Sequence, residues 1–380
     1  MDLYQNWLKK LKMKLSLGGS MKRLLAQPYW LLALIPLFFV FQNCGSQSES
    51  TYDGEEIPSG TYPPQVYNNL TFGSYPHKVD IILPPNKDQN TRALVMIHGG
   101  GGNKENFAFS LGFRKTEAGT YSLDPDSVNG YMEDFLIQHN VALIFAQGQS
   151  IPQKPDSFTW SNLIMTSGQN DVAFLNLLAQ ELRTTYHFSR VYLAGHSMGG
   201  SMTNRMWCQS PQSFDGYGSI AGPLSTQLYT SCNPSVKKPY IHIAALNDRI
   251  IQIVEDPTVG PNINHATDTT LTLDSLTRTF GGAAFVHPAP EFQNELVSYG
   301  WRANLMCSEV ASAKVYAPIG TNWKTATQEN CGGALKMIQV KNADHCTGGQ
   351  GGDHYKCDVP LTPLGTTETL DRLVEFFEEN

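Results

Sequence analysis

The sequence predicts an α/β protein with a mostly parallel central sheet and helices on both faces. Two observations carry that prediction. Short runs such as ALVMIH (Ala93–His98), VALIFAQG and VYLAG are apolar up to their ends, the pattern of parallel strands covered on both sides. Stretches with apolar residues at helical spacing alternate with them, as in Asp171–Tyr186, where Val172, Leu175, Leu178, Ala179 and Leu182 share a face. A chain of 380 residues, 41% hydrophobic with 33 Gly and 22 Pro, is globular in composition and long enough for one large domain or two ordinary ones. It carries no internal repeat and no heptad run.

Taken in order, residues 1–43 read as an export signal and not as part of the globule. Met21–Arg23 is basic and Tyr29–Phe41 is apolar, but thirteen residues interrupted by Pro36 are too short to cross a bilayer. Lys9, Lys10, Lys12 and Lys14 either lengthen the basic region or belong to residues 1–20 ahead of a true start at Met21. Cys44, in FQNCGS, stands where a bacterial lipoprotein signal carries its acylated cysteine, with Gln42 and Asn43 in place of the small residues usual there. The expected location is the outer membrane through that anchor, or the periplasm or medium if Cys44 is not acylated. Residues 44–75 are polar with Gly and Pro and read as a tether; residues 76–380 read as one folded domain.

Residues 1–43 hold +5 of a net charge of −7, so the remainder carries −12. An acidic surface disfavours nucleic acid and anionic membrane as partners, leaving the lipid anchor as the only membrane contact expected. Oligomeric state is left open. Setting Cys44 aside, Cys208, Cys232, Cys307, Cys331, Cys346 and Cys357 form an even set suited to three disulfides in an oxidising compartment. Counting alone leaves all fifteen pairings of six cysteines open.

Within the domain, HKVDIILP has strand character, and ALVMIH is a buried strand that ends in GGGGNKENF. YMEDFLIQHN is helical and feeds the strand VALIFAQG. After Asp171–Tyr186 come the strand VYLAG, a small-residue helix, the apolar runs GYGSIAG and YIHIAAL, the last strand Lys336–Val340 and a closing amphipathic helix, TETLDRLVEFFEEN.

The chemistry centres on VYLAGHSMGGSM. Gly195-His196-Ser197-Met198-Gly199 is a glycine-x-serine-x-glycine elbow between a strand and a helix, so Ser197 is the candidate nucleophile. Glycines relieve the crowding of that turn, and the helix N-terminus offers unpaired N–H groups to a developing negative charge. His196 shares the strained turn and is expected to be structural. A second N–H is expected from His98-Gly99-Gly100-Gly101-Gly102, an HGGG-type loop after a strand; Asn103-Lys104-Glu105 lacks the ending of a phosphate-binding loop. The oxyanion donors are thus expected to be the N–H groups of Gly100 and Met198, with the His98 ring holding the loop.

An acid and then a base should follow the serine. Asp248, in IHIAALNDRIIQ, directly follows an apolar run, whereas Asp256, Asp268 and Asp274 do not. His345, in KMIQVKNADHCTGG, follows the last strand, with His354 in reserve and Asp344 as a solvated loop residue. His345, Cys346, His354 and Cys357 also read as a zinc set, but adjacent ligands suit a tetrahedral site poorly, and a Cys346–Cys357 disulfide pinning the histidine loop is the better reading. No metal or organic cofactor is expected.

From RALVMIHGGGGNKENF through the elbow to Trp301–Cys307 (WRANLMC), ENCGG and the histidine loop, the chain resembles the polyhydroxybutyrate depolymerase and feruloyl esterase group of α/β-hydrolases. The resemblance spans about residues 76–380. It implies a serine esterase with Ser197, Asp248 and His345 as the triad, and a Cys307–Cys331 bridge, which leaves Cys208–Cys232. NADHCTGG departs from that group's histidine loop. The expected substrates are feruloyl, acetyl or 3-hydroxyalkanoate esters, small or oligomeric; Phe158, Trp160 and Trp323 are candidates to line an aromatic cleft, with core or exposed positions the competing reading. A serine peptidase of the same fold and an inactive surface-binding scaffold are the competing readings.

Overall fold

The computed structural model describes residues 65–111, 113–115, 121–123, 131–151, 154–246, 248, 251, 270–271, 292–309, 325–340, 345 and 368–380. Cys44, Trp323, Cys346, Cys357, His354 and the rival acids Asp256, Asp268 and Asp274 lie outside these residues.

Among the described residues nine strands form the main sheet: β1 (Gln65–Leu70), β2 (Val79–Leu83), β3 (Arg92–Ile97), β4 (Val141–Ala146), β5 (Val191–His196), β6 (Gly216–Ile220), β7 (Tyr240–Ala245), β8 (Thr325–Asn330) and β9 (Leu335–Val340). Their order is β1-β2-β4-β3-β5-β6-β7-β9-β8. The six strands from β4 to β9 in that order run parallel, and β1, β2 and β8 are antiparallel to their neighbours. The mostly parallel sheet is what the apolar runs predict, and together with the helices described next it is the α/β-hydrolase fold that the resemblance implies.

Among the described residues seven helices accompany the sheet: α1 (Lys104–Ser110), α2 (Tyr131–His139), α3 (Asp171–Thr184), α4 (Met198–Gln209), α5 (Thr226–Ser231), α6 (Glu295–Cys307) and α7 (Glu368–Glu379). Alternate residues of each strand face opposite sides, so one sheet buries two cores. Ala93, Val95, Ile97, Val191 and Leu193 pack with α3, α4 and α6, whereas Leu94, Met96, Tyr192 and Ala194 pack with α1, α2 and α7. In α3 the buried set is Asp171, Phe174, Leu175, Leu178, Ala179 and Leu182, one helical stripe that takes in Phe174 and leaves Val172 half-buried.

Regular structure is present earlier in the chain than the sequence indicates. β1 lies inside the stretch read as a tether, paired with β2 from Gln65↔Leu83 to Leu70↔Val79. It is an edge strand, half-buried along most of its length, so its residues lack the apolar run that marks the inner strands.

The two disulfides implied by the resemblance are present among the described residues. Cys208–Cys232 ties the end of α4 to the residue after α5, and Cys307–Cys331 ties the end of α6 to the turn before β9. No helix among the described residues is long and apolar enough to cross a membrane.

A buried polar network joins α6 to the sheet beneath α4. Arg302 is fully buried, its guanidinium 3.5 Å from the centroid of the Tyr240 ring and 4.1 Å from that of Trp207. Its Nε–H donates to His242 Nε2 at 3.1 Å and its Nη2 to Asn204 Oδ1 at 2.6 Å. An arginine only donates, so His242 Nε2 accepts and its Nδ1–H donates to Glu295 Oε2. Glu295 Oε1 in turn accepts from the Ser219 hydroxyl at 2.6 Å and the Gly222 N–H at 2.7 Å. A neutral histidine thus bridges a buried carboxylate and a buried guanidinium.

Candidate active site

β5 ends at His196, and Ser197 takes φ 52° and ψ −118° before α4 begins at Met198. A serine with positive φ is strained backbone, held here from both sides. Its N–H donates to the Ile220 carbonyl at 2.8 Å, and its carbonyl accepts from the Ser201 N–H at 2.9 Å. The flanking glycines are required by contact. A Cβ on Gly195 would stand 2.4 Å from the Gly199 backbone, and one on Gly199 would stand 2.3 Å from the Ile97 carbonyl oxygen.

The elbow brings together three side chains that are 51 to 148 residues apart in sequence. The Ser197 hydroxyl donates to His345 Nε2 at 2.8 Å. His345 Nδ1–H donates to Asp248 Oδ2 at 2.7 Å. Asp248 follows β7, with its Oδ1 accepting the Ile251 N–H at 2.9 Å. All three are buried, Ser197 at 3%, His345 at 6% and Asp248 at 0% exposure. This hydrogen-bond direction fixes the tautomer: Nδ1 carries the proton and Nε2 is ready to accept another.

His196 is not a bystander in the turn. Its Nε2–H donates to the His345 carbonyl at 2.7 Å, so it holds the backbone of the residue whose ring reaches Ser197. Burial first, then the nearby His345 ring, push its pKa down to about 3, so the imidazole stays neutral. The turn's sequence marks a structural place for it, but no local pattern marks this contact, which spans 149 residues.

The glycine loop after β3 is held by a second neutral histidine. His98 Nδ1–H donates to the Gly99 carbonyl at 2.7 Å, and Nε2 accepts from the Gly148 N–H at 2.9 Å and from the Gln147 amide at 3.1 Å. Burial lowers its pKa to about 4. The Gly99 carbonyl and the Gly100 N–H belong to one planar peptide, so fixing the first aims the second. Among the described residues no hydrogen bond engages the N–H of Gly100 or of Met198.

Trp160 requires a correction. It is fully buried, and its indole N–H donates to the His98 carbonyl at 3.0 Å, so it packs beneath the loop and does not line a cleft. A large ring with one polar atom suits that place, since its N–H finds a partner inside the core. Phe158 is half-buried, and its carbonyl accepts the Gly101 N–H at 2.8 Å. Cys307, Glu309 and Cys331 bring ligand-type atoms together, but Cys307–Cys331 is a disulfide, which removes the thiolates a metal would need.

No family model and no curated protein matches the chain. Among solved structures it is similar to an acetyl xylan esterase from Aspergillus awamori, at 14% identity and TM-score 0.42, covering 83% of this chain and 100% of that one. A predicted CIB-like hydrolase from Thermoplasma acidophilum aligns at 10% identity and TM-score 0.41 over 83% of this chain and 99% of that one. A Bacillus cereus carboxylesterase aligns at 15% identity and TM-score 0.33 over 46% of this chain and 72% of that one. The sheet order, the strained serine between β5 and α4, and the chain order Ser, Asp, His are those of the α/β-hydrolase fold.

Proposed function

We propose that the protein is a serine carboxylesterase, with Ser197 as nucleophile, His345 as general base and acid, and Asp248 as the group that orients His345. The observation that carries this reading is the hydrogen-bond chain Ser197–His345–Asp248, at 2.8 and 2.7 Å, set on a strained elbow. His345 Nε2 takes the hydroxyl proton as Ser197 Oγ attacks the ester carbonyl carbon, whose π electrons move onto oxygen. The N–H groups of Met198 and Gly100 hold that oxyanion, and Asp248 stabilises the imidazolium. Collapse expels the alcohol, which leaves with the proton from His345, and forms acyl-Ser197. Water, deprotonated by His345, then attacks the acyl carbon; the acid departs and the proton returns to Ser197. The protein's groups complete this cycle with no cofactor.

The substrates proposed are feruloyl, acetyl or 3-hydroxyalkanoate esters. Phe158 and Trp323 stay in the proposal as aromatic contacts, and Trp160 is withdrawn from it. The proposal includes export and acylation at Cys44, with nucleic acid excluded as a partner; the two disulfides support an oxidising compartment. Incorporation of labelled fatty acid that is lost in Cys44→Ala tests the anchor. Hydrolysis of short acyl esters, methyl ferulate and hydroxybutyrate oligomers by oxidised residues 45–380 tests the activity. A preferred ester is expected, and folded protein inert on all of them would move the reading to a binding scaffold.

A further inference from the structure

The two oxyanion donors sit on different elements, Gly100 on the loop after β3 and Met198 at the start of α4. An oxyanion site works only if its donors keep a fixed separation, since misplacement of about 1 Å is enough to cost about a hundredfold in rate. One five-residue stretch touches both elements. The Phe158 carbonyl accepts the Gly101 N–H at 2.8 Å, the Trp160 indole donates to the His98 carbonyl at 3.0 Å, and the Asn162 amide donates to the Met198 carbonyl at 2.9 Å. Trp160 and Asn162 are both fully buried.

The stretch is itself anchored. Asn162 Oδ1 accepts from the N–H groups of Ile164 and Met165 at 2.9 and 2.8 Å, closing a turn in which Leu163 takes φ 72°. A leucine at positive φ is strained and persists only where its surroundings over-determine it. The buried Asp171 carboxylate accepts from the Ser161 N–H at 2.5 Å, the Ser167 hydroxyl at 2.7 Å and His77 Nε2 at 2.6 Å. Arg205, on α4, donates to the Ser161 carbonyl. The turn is therefore fixed to α3, α4 and the glycine loop together.

We infer that Trp160 and Asn162 are positioning residues for the oxyanion site: one bracket, residues 158–162, sets the distance between the Gly100 and Met198 donors. This rests on the esterase reading above. The bracket acts through the peptides next to each donor. Trp160 holds the carbonyl of the peptide before Gly100's own, and Asn162 holds the carbonyl one peptide beyond the Met198 N–H. Neither side chain touches substrate.

The test compares Trp160→Phe, which removes the indole N–H and keeps a ring, with Asn162→Ser. The serine keeps an oxygen for the turn but is too short to reach Met198. Each is assayed on a carboxylic ester and on its thiono analogue, in which sulfur, a weaker acceptor, occupies the oxyanion site. We expect kcat on the oxygen ester to fall about 10–100-fold in each variant with KM within about twofold. The preference for oxygen over sulfur should shrink, because a loosened site no longer favours the better acceptor. Equal loss on both esters, or unchanged rates in folded variants, overturns the bracket while leaving the esterase intact. Should Trp160→Phe fail to fold, Asn162→Ser decides alone. A wild-type protein inert on every ester would instead bring down the esterase reading, and the bracket with it.

Discussion

His196 Nε2 donates a 2.7 Å hydrogen bond to the carbonyl of His345, so the residue before the nucleophile holds the backbone of the proposed base. The Phe107 and His196 rings stack with centroids 6.1 Å apart, which makes phenylalanine the variant that keeps the packing and deletes the donor. His196→Phe should lower kcat about 10–100-fold, with KM little changed, because the His345 ring loses its registration on Ser197. Steady-state kinetics on a short acyl ester checks this. An unchanged kcat would mean that the loop is held by other contacts.

The elbow glycines should fail by stability before they fail by chemistry. A Cβ at Gly195 or Gly199 would sit 2.3–2.4 Å from backbone atoms, which cannot swing aside as a side chain can. Gly195→Ala and Gly199→Ala should each cost at least about 2–3 kcal/mol, read as a shift in urea midpoint.

Glu295→Gln should also destabilise, by about 3–5 kcal/mol. The carboxylate serves four partners' needs at once: it accepts from Ser219, Gly222 and His242 and balances the charge of Arg302 through that ring. The amide of glutamine would turn a donor toward one of these donors and leave the guanidinium without its counter-charge. Urea denaturation at neutral pH measures the loss, and a change under about 1 kcal/mol would show that the network is dispensable.

Much of this molecule is legible in its sequence. The inner strands β3, β4, β5 and β7 are mostly apolar because both faces are covered, with His242 the one polar residue inside a run, and that pattern is visible in the letters. Ser197, Asp248 and His345 were legible because each follows a strand end in a fixed chain order, and the structure brings the three into one hydrogen-bonded chain. Edge strand β1 was missed because pairing on one side leaves its residues half-exposed and mixed in polarity. Trp160 could not be placed between cleft and core because an aromatic looks alike in sequence whether its ring faces inward or outward. The Asn162, His196 and Glu295 contacts join residues 36 to 149 positions apart, and no local pattern marks them.

Acid should weaken the fold well above the carboxylate range. Burial pushes His98 and His196 from an ordinary 6.5 down to about 4 and about 3, so the folded chain refuses protons that the unfolded chain accepts. Their contribution is full above pH 6.5 and is lost as pH falls from there toward 4 and then 3. Each adds a slope of about 1.4 kcal/mol per pH unit inside its window. His242 is shifted the same way by burial and adds to the trend. The urea midpoint should therefore be clearly lower at pH 5 than at pH 7; equal midpoints would contradict the assignment of these rings as buried and neutral.

The central claim is that Ser197 is the nucleophile, and the most direct measurement is the mass of the protein after reaction with a fluorophosphonate, followed by peptide mapping. The account predicts one adduct, on Ser197, formed at a rate that falls steeply in His345→Ala and absent in Ser197→Ala. Ester hydrolysis in Ser197→Ala should drop by about 10⁴-fold or more in parallel. No adduct on folded wild-type protein, or an adduct and full hydrolysis that survive Ser197→Ala, would contradict it.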